Sequence, residues 1–180
     1  ALEYAYPTLT IKQPGILDFG AAGKGYLIDI IAAILHADGI PAFCIDAGGD
    51  ILYHGDGDTP LRVGLEDPNN ERRVIGVAEI RNQSLCGSAG NRRAWDDFHH
   101  IIDPKTKASP RHLLATWAVA DSAILADALA TALFLVDSER LSAALSFEYL
   151  LLYPDYSVAR SYHFPAELFT SSSDTYDPRA

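Results

Sequence analysis

The sequence predicts an α+β domain with a mixed or antiparallel sheet and packed helices, and three observations carry that prediction. Two segments, 27–35 and 124–136, repeat apolar residues at the helical period. Around them lie short runs rich in β-branched and aromatic residues. Turn signals such as Ala47-Gly-Gly-Asp50 and Gly55-Asp-Gly-Asp58 separate these runs closely enough for hairpins.

Taken in order, a short strand is expected through Ile16 and Leu17, followed by the glycine turn Gly20-Ala-Ala-Gly-Lys-Gly25. A helix then follows, with Leu27, Ile30, Ile31, Ile34 and Leu35 as its apolar stripe and Gly39 as its stop. Strands are expected at Ala42–Asp46, Ile51–His54, Leu61–Glu66, Val74–Ile80 and Thr116–Ala120. The apolar helix at 124–136, a shorter helix from Ser138 to Leu145, and closing strands at Glu148–Tyr153 and Ser157–His163 complete a single domain over residues 1–169. Residues 170–180 read as a polar, mobile tail.

A chain of 180 residues with a net charge of −10 and no Lys/Arg cluster has no basic surface for nucleic acid or an anionic membrane. If it handles phosphate, a metal must offset the charge. No apolar run is long enough to span a bilayer, and no basic segment followed by an apolar one marks a leader. The two cysteines, Cys44 and Cys86, sit in apolar settings and are expected to be buried and inert. There is no Met, even at position 1, so a fragment or a processed chain is expected.

The most telling pattern is Asp127 and Thr131, four residues apart in an Ala/Leu helix. That spacing returns to one face, so a carboxylate and a hydroxyl emerge together from an apolar surface. Burying the carboxylate costs several kcal/mol unless something compensates it. A backbone N–H would do so, and so would a hard, oxygen-liganded ion such as Mg²⁺.

The turn before the first helix presents backbone N–H groups and Lys24 at a helix N-terminus, a favourable place for an anion. Its spacing fits neither the Walker A loop nor the dinucleotide fingerprint. Asp18 either stabilises this turn or accepts hydrogen bonds from a ligand. Asp46-Ala-Gly-Gly-Asp50 reads as a tight reversal between strands, with close backbone approach to a ligand as the alternative. In Phe98-His-His-Ile-Ile-Asp-Pro-Lys105, strand alternation would point His99 and His100 in opposite directions, so only one can reach a pocket and act as a base near neutral pH.

Five segments in order, 17–26 (Leu-Asp-Phe-Gly-Ala-Ala-Gly-Lys-Gly-Tyr), 48–51 (Gly-Gly-Asp-Ile), the Ser88 region, 100–106 (His-Ile-Ile-Asp-Pro-Lys-Thr) and 126–133 (Ala-Asp-Ala-Leu-Ala-Thr-Ala-Leu), resemble the FAD:protein FMN transferase family. The resemblance reaches to about residue 165 and corresponds to the C-terminal part of a family member. The sequence departs from the family pattern at Ala89-Gly90-Asn91 and at Lys107, where Gly usually follows Asp-Pro-Lys-Thr. The resemblance implies Mg²⁺-dependent transfer of FMN from FAD to a Thr hydroxyl of an acceptor protein, with release of AMP. It implies Ala21 (main-chain oxygen), Asp127 and Thr131 as metal ligands, and Asp18, Lys24 and Ile102 as FAD contacts. His100 is the candidate catalytic base. It also implies a periplasmic or cell-surface location. Two other readings remain open, an FAD pyrophosphatase giving FMN and AMP, and a non-catalytic flavin-binding or structural module.

Overall fold

Residues 2–11 alternate apolar and polar side chains about Tyr6-Pro7, and in the computed structural model they form an antiparallel hairpin. Its strands are β1 (Leu2–Ala5) and β2 (Thr8–Ile11), with Leu2 opposite Ile11 and Tyr4 opposite Leu9. The structure describes residues 2–91, 94–96, 98–169 and 175–176. The strand expected at Ile16 and Leu17 does not form: the backbone there is irregular and both side chains are exposed. Among the described residues no strand pairs with this segment, and Pro14-Gly15 interrupts it.

Helix α1 (Gly23–Ala37) stops at Gly39, whose φ of 77° suits glycine; the Gly39 and Ile40 N–H groups bond back to the carbonyls of His36 and Leu35. The expected apolar stripe is not the buried one. Leu27, Ile30, Ile31 and Ile34 are exposed, and the core takes Gly25, Ile28 and Ala32. Small side chains on that face let α1 approach its neighbour closely.

The chain continues through β3 (Phe43–Asp46), β4 (Ile51–His54), β5 (Leu61–Asp67), β6 (Asn70–Ile80), β7 (Gln83–Ala89), β8 (Ala94–Trp95), β9 (Phe98–His99) and β10 (Ala115–Ala120). Then come α2 (Ala123–Ala132), α3 (Ser138–Ser142), β11 (Glu148–Leu152), β12 (Val158–Arg160), β13 (Ala166–Leu168) and β14 (Thr175–Tyr176). Seven strands form the main sheet in the order β14-β12-β11-β10-β7-β4-β3, antiparallel except where β14 joins β12. A second sheet has the order β13-β6-β5. The rest of the expected tail, 170–174 and 177–180, lies outside the described residues.

Every residue of β10 is buried, because both faces of the main sheet are covered. Ala115, Trp117 and Val119 meet Leu65, Ile75 and Ile80 of the second sheet in one core. Ala118 and Ala120 join Cys86, Ala126, Leu129 and Ala130 under α2. The result is three layers, with α1 and α2 packed together on the face of the main sheet opposite the smaller sheet. Cys86 is buried as expected, and burial followed by the charge of Asp50 pushes its thiol far up. Cys44 is instead exposed, because its neighbours Phe43 and Ile45 are the β3 residues that turn toward α1.

The two helices meet backbone to backbone at Gly25. A Cβ built there would lie 2.2 Å from the Ala123 carbonyl oxygen. Replacing an ordinary helical glycine with alanine stabilises by up to about 1 kcal/mol, but here the added methyl meets backbone. Gly25→Ala should therefore destabilise the protein, by about 1–3 kcal/mol in urea unfolding. A variant as stable as the parent would contradict this packing.

Candidate functional site

Neither α1 nor α2 has its own side-chain cap: Ala22 and Ser122 stand at the N-cap positions, and neither side chain caps. Each helix instead receives a carboxylate from the other. Asp127 of α2 accepts the Gly25 N–H of α1 at 2.9 Å. Asp29 of α1 accepts the Ala123 and Ile124 N–H groups of α2 at 2.8 and 2.9 Å. An anion at each helix start also meets the favourable end of the dipole.

Asp127 is buried, 3% exposed, and its second oxygen lies 3.3 Å from the Lys24 ammonium. Lys24 also pairs with Asp50, 2% exposed, at the start of the β4 hairpin arm. Asp50 was not anticipated as a site residue, since Gly48-Gly49-Asp50 reads from sequence as a turn. That turn is indeed present: Gly48 and Gly49 have φ of 76° and 99°, and Asp46 accepts the Gly49 N–H at 2.8 Å. Its further effect is to turn the Asp50 carboxylate inward.

Two buried carboxylates therefore face one ammonium. Burial alone would lower the Lys24 pKa, but the hydrogen bond and charge of Asp50, then those of Asp127, hold it above its ordinary value. Burial pushes the Asp50 carboxyl up, Lys24 opposes the shift, and the charge of Asp127 adds to it. Burial is therefore the main cause at Asp50, with the nearby Asp127 charge adding to it, whereas Lys24 is held up by the two acids that share it. The surplus negative charge favours a second cation.

Thr131 continues the Asp127 face one turn on, and its hydroxyl lies 3.2 Å from that of Ser88 on β7. Carboxylates and hydroxyls are the donors a hard cation such as Mg²⁺ prefers, and the residues present fit it. Among the described residues no group of three or more His, Cys, Asp and Glu side chains is placed to hold a metal ion, so a cation here would rely on hydroxyl and main-chain oxygens beside the carboxylates. Ala21 lies in the exposed turn leading into α1.

The remaining expected residues are placed as follows. Asp18 is exposed and accepts the Gly20 N–H at 2.7 Å, stabilising the turn. His99 is held structurally, with its Nε2 2.8 Å from the Pro110 carbonyl and its ring edge-on to Phe134. His100 follows the last residue of β9, is exposed, and stands edge-on to His99 at 6.2 Å. Ile102 is exposed, beside buried Ile101. Lys107 has a φ of 57°, a conformation that costs a non-glycine residue about 1–2 kcal/mol. The family's glycine would adopt it without strain.

Among related proteins, the FAD:protein FMN transferase of Rhodobacter capsulatus is 35% identical over 139 residues, 73% of this chain and 26% of that protein. The FAD:protein FMN transferase of Treponema pallidum (strain Nichols) is 33% identical over 177 residues, 86% of this chain and 48% of that protein. The crystal structure of the ApbE protein of Thermotoga maritima superimposes with a TM-score of 0.79 at 24% identity, covering 89% of this chain and 57% of that one. The flavin transferase ApbE from Vibrio cholerae gives 0.70 at 22%, covering 88% and 54%. These two likenesses show the α+β fold. The chain thus spans 26% to 57% of the length of these four proteins. The model of the ApbE family matches residues 3–150, and the chain belongs to that family.

Proposed function

We propose that this chain carries the metal- and pyrophosphate-handling part of a flavin transferase that moves FMN from FAD to a Thr hydroxyl of an acceptor protein. The observation that carries this reading is the pair of buried carboxylates, Asp50 and Asp127, sharing the single ammonium of Lys24 at the start of α1. The named activity of the relatives supports it.

In this reading Asp127, Thr131 and the main-chain oxygen of Ala21 hold Mg²⁺, which when bound supplies charge neutralisation at the pyrophosphate. Lys24 orients a phosphate oxygen; its ammonium has three N–H donors, of which Asp50 and Asp127 take two. Asp18 and Ile102 flank the FAD. His100 accepts the proton of the acceptor hydroxyl. The Thr oxygen forms a new bond to the FMN phosphorus, the pyrophosphate P–O bond breaks, and the bridging oxygen leaves with AMP. The reaction is a phosphoryl-type displacement with no redox change.

Water can replace the acceptor hydroxyl at the same site, giving FMN and AMP. Working on an acceptor protein places the enzyme where that protein is, and we propose a periplasmic or cell-surface setting.

Asp127→Asn keeps an acceptor for the Gly25 N–H but removes the charge, so metal-dependent release of AMP from FAD should fall at least 10²-fold with the fold retained. Parental AMP release in this variant would remove Asp127 from the metal site. His100→Ala should lower flavin transfer to an acceptor peptide by about 10²–10⁴-fold while FAD binding persists. Flavin fluorescence on the acceptor band of a denaturing gel reports it. Transfer at the parental rate would exclude His100 as base, and AMP release without any labelled acceptor would favour the pyrophosphatase.

A further inference from the structure

Asp29 lies outside every binding role considered above, yet it makes the most specific polar contact between the two helices. Its two oxygens accept two consecutive N–H groups, Ala123 and Ile124, at 2.8 and 2.9 Å. Ser122 is correctly placed to cap α2 itself, with φ −127° and ψ 149°, but its hydroxyl makes no capping bond. The cap therefore comes from another helix, 94 residues earlier in sequence, and it ties the position of α2 to α1.

We infer that Asp29 is a positioning residue: it fixes the start of α2 so that Asp127, one turn further on, reaches the turn that carries Lys24 and Gly25. The geometry leaves little slack. Asp29 and Gly25 lie four residues apart on one face of α1, and both face the first turn of α2. Ala123 takes part in both contacts, giving its N–H to Asp29 and setting its carbonyl against Gly25. Asp127 closes the arrangement by accepting the Gly25 N–H. Without Asp29, α2 can rotate or slide by a fraction of a turn, and the carboxylate moves relative to Lys24 and Asp50. Its consequence for cation binding rests on the function proposed above; its consequence for the Gly25 N–H does not.

Capping and positioning are separable. Asp29→Ala removes both, whereas Asp29→Ala with Ser122→Asp supplies a local cap without the tie to α1. In the double variant the melting temperature should return to within a few degrees of the parent. The Gly25 amide should nevertheless exchange with deuterium at least tenfold faster, and the Kd for Mn²⁺, measured by calorimetry with the metal alone, should rise at least fivefold. If the double variant fails to fold, Asp29→Asn serves in its place, because it preserves shape and sets an amide N–H against one of the two donors; the same two shifts are expected. Parental Gly25 exchange in a folded variant would overturn the positioning role. Parental Mn²⁺ affinity alongside fast Gly25 exchange would overturn its link to the cation. A parent that binds no Mn²⁺ would sink the metal reading, and Gly25 exchange alone would then decide the positioning role.

Discussion

The exchange of carboxylates between α1 and α2 is the constraint on which the rest of the site depends. Each helix begins without a side-chain cap of its own and takes one from the other. Two orphaned helix starts are thereby satisfied by one contact, and satisfying them demands that the helices meet at a fixed height. The absence of a side chain at Gly25 makes the approach possible, and the small buried face of α2, with Ala123, Ala126 and Ala130, lets that helix settle on the sheet. Larger residues would bury more apolar area but hold the backbones too far apart for Asp127 to reach Gly25.

From this junction the electrostatics follow. Asp127 is needed as a cap, and capping draws it into a buried setting where an unpaired carboxylate costs several kcal/mol. Asp50, brought in by the double-glycine turn, adds a second buried charge, and among the described residues Lys24 is the cation paired with both acids. A structural ion pair would match one acid to one base. Two acids to one base is a poor arrangement for stability alone and a good one for taking up a cation, which is why the imbalance, more than the presence of an acidic residue, points to a site.

The parts of the molecule that were legible in the sequence are those written in short-range periodicity. The i,i+4 spacing of Asp127 and Thr131 survives intact in α2, and the glycine stop of α1 falls at Gly39 as its sequence indicates. Strands β3, β4, β5, β10 and β11 lie within a residue or two of where β-branched and aromatic runs place them; β6 extends back to Asn70, β12 ends at Arg160, α2 and α3 end early at Ala132 and Ser142, and the sequence reading holds no strand at β7, in the middle of the main sheet. The buried face of α1 differs from its apolar stripe because Leu27, Ile30, Ile31 and Ile34 are on its exposed side, while contact with α2 requires small residues. Hydrophobicity marks a stripe; it does not say that a glycine is the point of contact. The hairpin at residues 2–11 lies outside the strands expected from sequence: every residue of both its strands is exposed, so its alternation marks no buried face. Asp29 had no local signal, and Asp50 had only the glycine turn and the Gly-Gly-Asp-Ile segment, neither of which says that its carboxylate turns inward. Their partners lie 94 and 26 residues away, and only the packed fold brings them together.

Titration of Mn²⁺ into the protein, followed by the loss of its free electron paramagnetic resonance signal, reports whether a divalent cation binds at Asp127 and Thr131, beside the Asp50–Lys24 pair. One bound ion per chain is expected, weakened at least tenfold by Asp127→Asn or Asp50→Asn and competed away by Mg²⁺. Binding unaffected by either substitution, or a free-ion signal that never diminishes, would contradict a cation site there.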